Sequence, residues 1–281
     1  MHLKYFGTAA AEGIPGMFCT CAVCRESLRL GGRNLRTRSQ ALVDGRLLID
    51  FPPDTYGHML RGGLDLPSIH ALLITHAHQD HLYAQDFENR KPGFAYVGDA
   101  GARHETPLRV YATAKAMEHV RTEDRDRIEE RGITQLHEIA PFEPFTVDDF
   151  VATAMTADHG AASGPVIYAI ERAGAAMLYA NDTGFFPEET WEYLAGVKPY
   201  FSFVSLDCTG MIRQDYRRGH MALPANAEVR DRLIALGCAD ENTIFCAHHF
   251  SHNGGLTHGD LVNEAAKIGF LVSYDGMEIE F

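Results

Sequence analysis

The run LLITHAHQDH, residues 72–81, delivers His76, His78, Asp80 and His81 within six residues of one another, directly behind an apolar stretch. Three imidazoles and a carboxylate in one loop suit a divalent metal ion. In extended chain, the single residue between His76 and His78 lets both rings project the same way. Asp80 and His81 then fall at the following turn, displaced from the first pair. That geometry suits two metal ions better than one. The bland alternative is a polar loop of surface histidines, and the density of ligands immediately after a buried strand argues against it.

A second group lies near the N-terminus. Of six cysteines, Cys19, Cys21 and Cys24 crowd together, while Cys208, Cys238 and Cys246 are scattered. Three thiols this close cannot all pair with one another, but they suit one tetrahedral zinc that still needs a fourth ligand. The segment HHFSH, residues 248–252, offers His249 and His252. An H-x-x-H pair can serve two different metals if its rings face opposite ways. The competing reading is free thiols in a reducing compartment. A redox pair fits less well, because the C-x-x-C lies outside any thioredoxin-like βαβ context.

These residues must be carried by elements that the chain spells out as short β-type runs. They span residues 3–7, 39–45, 46–51, 70–75, 108–112, 150–157, 165–171, 176–180, 200–206, 243–247, 270–274 and 277–281. Asp44-Gly45 and Asp275-Gly276 each predict a hairpin turn. Apolar residues at helical spacing predict helices over 54–62, 114–131, 187–195, 223–236 and 258–268. Thr257 and Asp260 form an approximate capping box at the start of the last. The single Trp191 is expected in the core. Residues 88–107 are rich in Gly, Pro and charge and read as a long loop, a common carrier of function. No linker divides the chain and no nucleotide-binding glycine loop occurs in it. The expectation is one domain over 1–281, an α/β (α+β) sandwich with a Cys-rich zinc loop at 19–24.

HxHxDH after a buried strand resembles the signature of the metallo-β-lactamase-fold hydrolases. The resemblance implies a four-layer αββα sandwich with a two-metal site at the ends of its inner strands. It also implies three further ligands, each just past an expected strand: His159 in TADHG, Asp182 in YANDT and His249. His248 is the rival to His249. By the same resemblance His76, His78 and His159 hold one ion, Asp80, His81 and His249 the other, and Asp182 bridges. Asp80 is thereby also placed at the reacting centre. The opening FGTAAAEGIPGMFCTCAVC, the stretch LLIDFPPD and the second histidine of HHFSH narrow the likeness. They resemble the subgroup of phosphoribosyl 1,2-cyclic phosphate phosphodiesterases of the carbon–phosphorus lyase pathway. That subgroup implies a structural zinc on Cys19, Cys21, Cys24 and His252, with His220 in RRGHMAL as the proton donor to the leaving group. The sequence departs from it at Phe51-Pro52 and over 88–107, which bears on the substrate rather than on the metals.

Composition bounds the reading. The chain has 281 residues and a net charge of −13. That balance argues against nucleic acid or an anionic membrane as main partner, since both ask for a basic footprint. No stretch approaches the roughly 18 apolar residues of a membrane span. The N-terminus, broken by Glu12 and Pro15, does not read as a signal peptide, so a cytoplasmic location is expected. The expected function is a binuclear phosphodiesterase acting on a small phosphate ester, cyclic esters included. Hydroxide held between two manganese or zinc ions would attack phosphorus. The alternatives are an RNA-processing nuclease of the tRNA 3′-end type and a metal-binding scaffold without catalysis. Dimers are common among such enzymes, and a homodimer is an open expectation. Several residues have two readings. Asp207 orients a ligand imidazole or caps a turn. Tyr83, Asp86 and Arg90 line a pocket or simply pack. Arg217 and Arg218 meet a substrate phosphate or face solvent.

Overall fold

Alternation of side chains along strands decides the architecture. The computed structural model of the protein describes residues 1–96, 107–124 and 127–281. Among these, the first strands are β1 (His2–Gly7), β2 (Gln40–Val43), β3 (Leu47–Ile49), β4 (Ala71–Leu73), β5 (Leu108–Ala112) and β6 (Thr134–Glu138). They continue with β7 (Pro144–Val147), β8 (Phe150–Thr156), β9 (Val166–Arg172), β10 (Ala175–Ala180), β11 (Phe203–Asp207), β12 (Ile244–His248), β13 (Phe270–Val272) and β14 (Glu278–Glu280). The helices are α1 (Ala22–Leu30), α2 (Thr55–Gly62), α3 (Ala114–Glu123), α4 (Glu188–Val197), α5 (Leu223–Leu236) and α6 (His258–Ala266).

Two sheets result, ordered β14-β1-β2-β3-β4-β5-β6 and β13-β12-β11-β10-β9-β8-β7. Within the first, β3 through β6 run parallel, and within the second, β10 through β13 do. Parallel strands are covered on both faces, so they read as continuous apolar runs. Leu47 and Ile49 of β3, with Leu73 of β4, point between the sheets, where they meet Tyr168, Tyr179 and Phe203. Leu48 and Leu72 point the other way, onto a layer that includes Met117 and Val120 of α3. On the far side, Val204 and Leu206 of β11 pack on Trp191, Leu194, Val229 and Leu261 from α4, α5 and α6. Three apolar interfaces thus separate four layers, the expected αββα sandwich. Each fully buried Leu or Phe contributes about 1.5–3 kcal/mol to holding them together. No helix among the described residues is long and apolar enough to cross a membrane.

Local expectations fail in four places. Asp275-Gly276 does not close a hairpin: β13 pairs with β12 and β14 pairs with β1, so the turn hands the chain from one sheet to the other. The Asp275 carboxyl is buried against Thr8 and Thr37 instead of sitting at an exposed tip. The helix expected over 114–131 stops at Glu123, and the Asp124 carboxylate then accepts the Ile128 N–H. α1 and the half-exposed strands β6 and β7 lack clear periodicity in sequence. Finally, part of the 88–107 loop begins as a short 3-10 turn over Ala84–Arg90, and 97–106 lie outside the described residues.

Candidate metal centre

β4 ends at Leu73, and after the buried Ile74 and Thr75 the chain turns away from the sheet and presents four ligands at its edge. His76 and His81 are buried, Asp80 is half-buried and His78 is exposed. Three other strand ends deliver their residues to the same place. His159 follows β8, Asp182 follows β10 and His249 follows β12. His76 Nε2 lies 2.9 Å from His78 Nδ1, which lies 3.1 Å from His159 Nε2. His81 Nε2 lies 3.3 Å from His249 Nε2 and 3.2 Å from Asp80 Oδ2. Asp182 Oδ2 sits 3.2 Å from both His76 Nε2 and His81 Nε2. Three four-residue sets among the described residues share Asp182: His76, His78, His159 and Asp182; Asp80, His81, Asp182 and His249; and Asp182, Asp207, His220 and His249, of which the first two hold the expected ligands.

The donor set fits cations. The far nitrogens of His76, His81, His159 and His249 are already committed. His81 Nδ1–H donates to Asp50 Oδ2 at 2.7 Å, His159 Nδ1–H to the Gly219 carbonyl at 2.9 Å, and His76 Nδ1 faces Thr75 Oγ1 at 3.1 Å. His249 Nδ1 faces Thr209 Oγ1 at 2.9 Å. The inward nitrogens converge with the Asp80 and Asp182 oxygens, a donor set that a positive ion would satisfy. Asp182 Oδ1 is buried with no hydrogen bond from the described residues, although His220 Nδ1 approaches to 3.0 Å. Backbone strain marks the same spot: Asp50, Asp182 and His249 all hold positive φ, at 64°, 50° and 61°. Non-glycine residues in that region cost energy and cluster at functional sites.

Electrostatics follow from burial and charge. Burial and the His81 charge push His76 down to about 4. Burial works against protonation of His81 too, but the Asp80 and Asp50 carboxylates raise it well above the usual range. Burial favours the neutral form of Asp182, yet the surrounding imidazoles hold it well below the ordinary carboxylate range.

Two carboxylates behind the cluster do the orienting. Asp50, at the end of β3, accepts the Thr75 amide at 2.8 Å and the Thr75 hydroxyl at 2.9 Å as well as His81. Sequence reasoning overlooked it. Its signal was an acid directly after the apolar run LLI, the position that the other site residues share. Asp207, at the end of β11, accepts the amides of Thr209 at 3.0 Å and Met221 at 2.9 Å. It also faces His220 Nδ1 at 3.1 Å and His249 Nδ1 at 3.3 Å, so it both caps the turn at Thr209 and lies against two imidazoles. Burial opposes charge on His220, but Asp207 and Asp182 raise it to about 11. With Nδ1 engaged and the ring partly exposed, Nε2 is the atom that His220 offers outward.

Other candidates fall elsewhere. His248 points into the core between the sheets, with Ser39 Oγ 2.9 Å from Nε2 and Ser273 Oγ 2.8 Å from Nδ1. Asp86 and Arg90 line a cavity of about 590 Å³ under α2, together with Leu48, Phe51 and Phe87, and no ligand of the metal centre reaches it. Tyr83 joins the site's scaffold through its amide, which donates to the Phe51 carbonyl at 2.7 Å. Arg217 stacks on Phe185 and pairs with Glu228, and the exposed Arg218 pairs with Asp158.

The cysteine group converges as well. His252 Nδ1 lies 3.7 Å from Cys19 Sγ and 3.6 Å from Cys21 Sγ, and Cys24 completes the set. Cys21 caps α1, its sulfur accepting the Cys24 amide. Burial raises the Cys21 thiol, but that amide and the neighbouring thiols and imidazole take it down to about 6; Cys24, more deeply buried, is pushed up to about 12. The H-x-x-H pair splits as its spacing allows. Phe250, between the two rings, is bonded to Thr8 and Ala10 of the N-terminal segment, with His249 in one cluster and His252 in the other.

The beta-lactamase superfamily domain matches residues 45–250. No curated protein sequence matches the chain. Among solved structures, zinc-bound PqqB from Methylobacterium extorquens is similar over 100% of both chains, with 19% identity and a TM-score of 0.75. A diphosphatase of the PhnP family is similar over 100% of this chain and 97% of its own, with 23% identity and a TM-score of 0.72. The short form of human tRNase Z covers 100% of this chain and 99% of its own, at 16% identity and a TM-score of 0.61. At these identities the likenesses establish the fold.

Proposed function

Because this chain belongs to the beta-lactamase superfamily, a family of metal-dependent hydrolases, we propose that it is a binuclear phosphodiesterase acting on small phosphate esters. The observation that carries the reading is the pair of ligand sets joined at Asp182. In this reading His76, His78 and His159 would hold one ion and Asp80, His81 and His249 the other, with Asp182 available to both. Ions so placed supply Lewis acidity toward a phosphoryl oxygen and acidify water. Histidine and carboxylate ligands accept zinc or manganese alike.

The chain's own residues do the rest. Asp50 and Asp207 hold His81 and His249 in the tautomers that turn Nε2 inward. His220, with Nδ1 anchored on Asp207, passes a proton from Nε2 to the departing ester oxygen. Cys19, Cys21, Cys24 and His252 would hold a structural zinc, for which thiolates are the better ligands. Those four residues would thereby tie the N-terminal segment to the stretch after β12. Support for a phosphate ester comes from the sequence resemblance and from the PhnP-family neighbour, itself a diphosphatase.

The test is hydrolysis of bis(p-nitrophenyl) phosphate by metal-reconstituted protein, followed by a panel of cyclic nucleotides, ribose cyclic phosphates and acyclic diesters. Turnover that Asp182→Ala abolishes is expected. Inactivity on every phosphodiester, with turnover of a thioester or lactone, would refute the substrate class. Cleavage confined to RNA precursors would move it to the nucleases.

A further inference from the structure

A polar chain, half-buried at Asp275 and Thr37 and buried from His58 onward, runs from the last connection of the fold to the backbone of Asp50, and none of its members is a candidate ligand. Asp275 Oδ2 lies 2.6 Å from Thr37 Oγ1. Thr37 Oγ1 lies 2.8 Å from His58 Nε2, and His58 Nδ1 lies 2.7 Å from Gln40 Oε1. Gln40 Nε2 lies 2.9 Å from the Asp50 carbonyl and 3.0 Å from Thr55 Oγ1. Gln40 and Asp50 are fully buried and His58 nearly so.

Donor counting fixes the bonds around Gln40, and the burial of His58 decides the rest. A carbonyl only accepts, and Thr55 spends its hydroxyl proton on the Pro52 carbonyl at 2.7 Å. The Gln40 amide nitrogen therefore faces Asp50 and Thr55, and its oxygen faces His58. His58 Nδ1 must then carry a proton. Burial pushes His58 down to about 4, against a small pull from Asp54, so the ring is neutral and Nε2 is a lone pair. Thr37 accordingly donates to His58. The Thr37 amide donates to Asp275 Oδ2 at 2.6 Å, and with the Thr37 hydroxyl proton turned to His58, the 2.6 Å contact between that hydroxyl and the same carboxyl is made by a proton on Asp275. Thr8, which accepts from Arg36 Nη1 at 2.8 Å, donates to the other carboxyl oxygen at 2.6 Å. The charged or titratable groups facing the chain are Arg36, with His258 bound to it, and Asp54.

We propose that Gln40 is a positioning residue for the metal centre. It is held by a hydrogen-bond relay from Asp275 through Thr37 and His58, and it clamps the left-handed backbone of Asp50 from which the Asp50 carboxylate holds His81. This rests on the reading that the 76–81 cluster binds divalent ions. The clamp has work to do. Asp50 adopts φ 64°, and the next residue, Phe51, donates its amide to the His81 carbonyl at 2.7 Å. A shift of this backbone moves both the carboxylate behind His81 and the loop that carries it.

Two measurements test the proposal. Nitrogen-15 histidine spectra of the wild-type protein at neutral pH should show His58 as the neutral Nδ1–H tautomer. The Nε2–H tautomer would overturn the relay. Second, manganese and zinc affinities should be measured by chelator competition for wild type, Gln40→Met, Asp50→Asn and the double variant. Gln40→Met should weaken binding about tenfold, the lower end for outer-shell partners. The double variant should bind no more weakly than Asp50→Asn alone, because both act through one carboxylate. Unchanged affinity in Gln40→Met, or additive losses, would overturn the positioning role alone. A wild type that binds no ions would overturn the underlying reading, and the positioning role with it. If Gln40→Met fails to fold, the tautomer measurement still decides.

Discussion

Asp50→Asn separates orientation from ligation, because Asp50 touches no ion in the proposed arrangement. The carboxylate accepts three groups at once: the Thr75 amide at 2.8 Å, the Thr75 hydroxyl at 2.9 Å and His81 Nδ1–H at 2.7 Å. An amide of the same shape has only one accepting oxygen. If that oxygen stays with Thr75, the amide nitrogen faces His81 and demands a bare Nδ1. His81 then carries its proton on Nε2, the atom that faces Asp80 and Asp182 at 3.2 Å. A protonated Nε2 cannot ligate. Loss of such outer partners costs about 10–100-fold in metal affinity. The partner here is charged and fully buried, so we expect the upper end, about 100-fold or roughly 2.7 kcal/mol. Chelator-competition titration should show one ion weakened and the other nearly unaffected. Wild-type affinity at both positions would refute the argument that Asp50 sets the His81 tautomer.

The remaining predictions concern separate parts of the molecule. Cys24→Ser should lose zinc and melt earlier, each kcal/mol being worth about 2–4 °C in a chain of this size, while turnover per folded active site changes little; unchanged zinc content and melting would remove the structural-zinc assignment. His58 is held near 4 by burial, below its unfolded value of about 6.5. A depressed folded value gives stability that is present above pH 6.5 and lost as pH falls toward 4. The loss is about 3 kcal/mol. His58→Gln should flatten that window in urea titrations, and parallel curves would contradict it. His220→Ala should slow alkyl phosphodiesters far more than p-nitrophenyl esters, whose leaving group needs no proton; equal losses would take the proton-donor role from His220.

What the sequence made legible follows from locality. The 76–81 ligands lie in one loop behind one apolar strand, so residue type and spacing suffice to pick them out. His159, Asp182 and His249 are scattered single residues, and a family resemblance, not periodicity, connected them to that loop. The layering of the sandwich was legible because the inner strands are apolar on both faces, as in Leu47, Leu48 and Ile49. The final turn was misread, because Asp-Gly is a strong local hairpin signal. It was overruled by pairing with β1 and by burial of Asp275 against Thr8 and Thr37. Asp50 and Gln40 were invisible for a related reason. Their roles depend on partners 25 and 18 residues away, Thr75 and His58, which no local pattern announces.

The central claim is a pair of cations sharing the Asp182 carboxylate. Anomalous diffraction from crystals grown with manganese or zinc tests it directly. Two peaks should flank Asp182, one among His76, His78 and His159 and the other among Asp80, His81 and His249. A single peak, or none, within that cluster would contradict it.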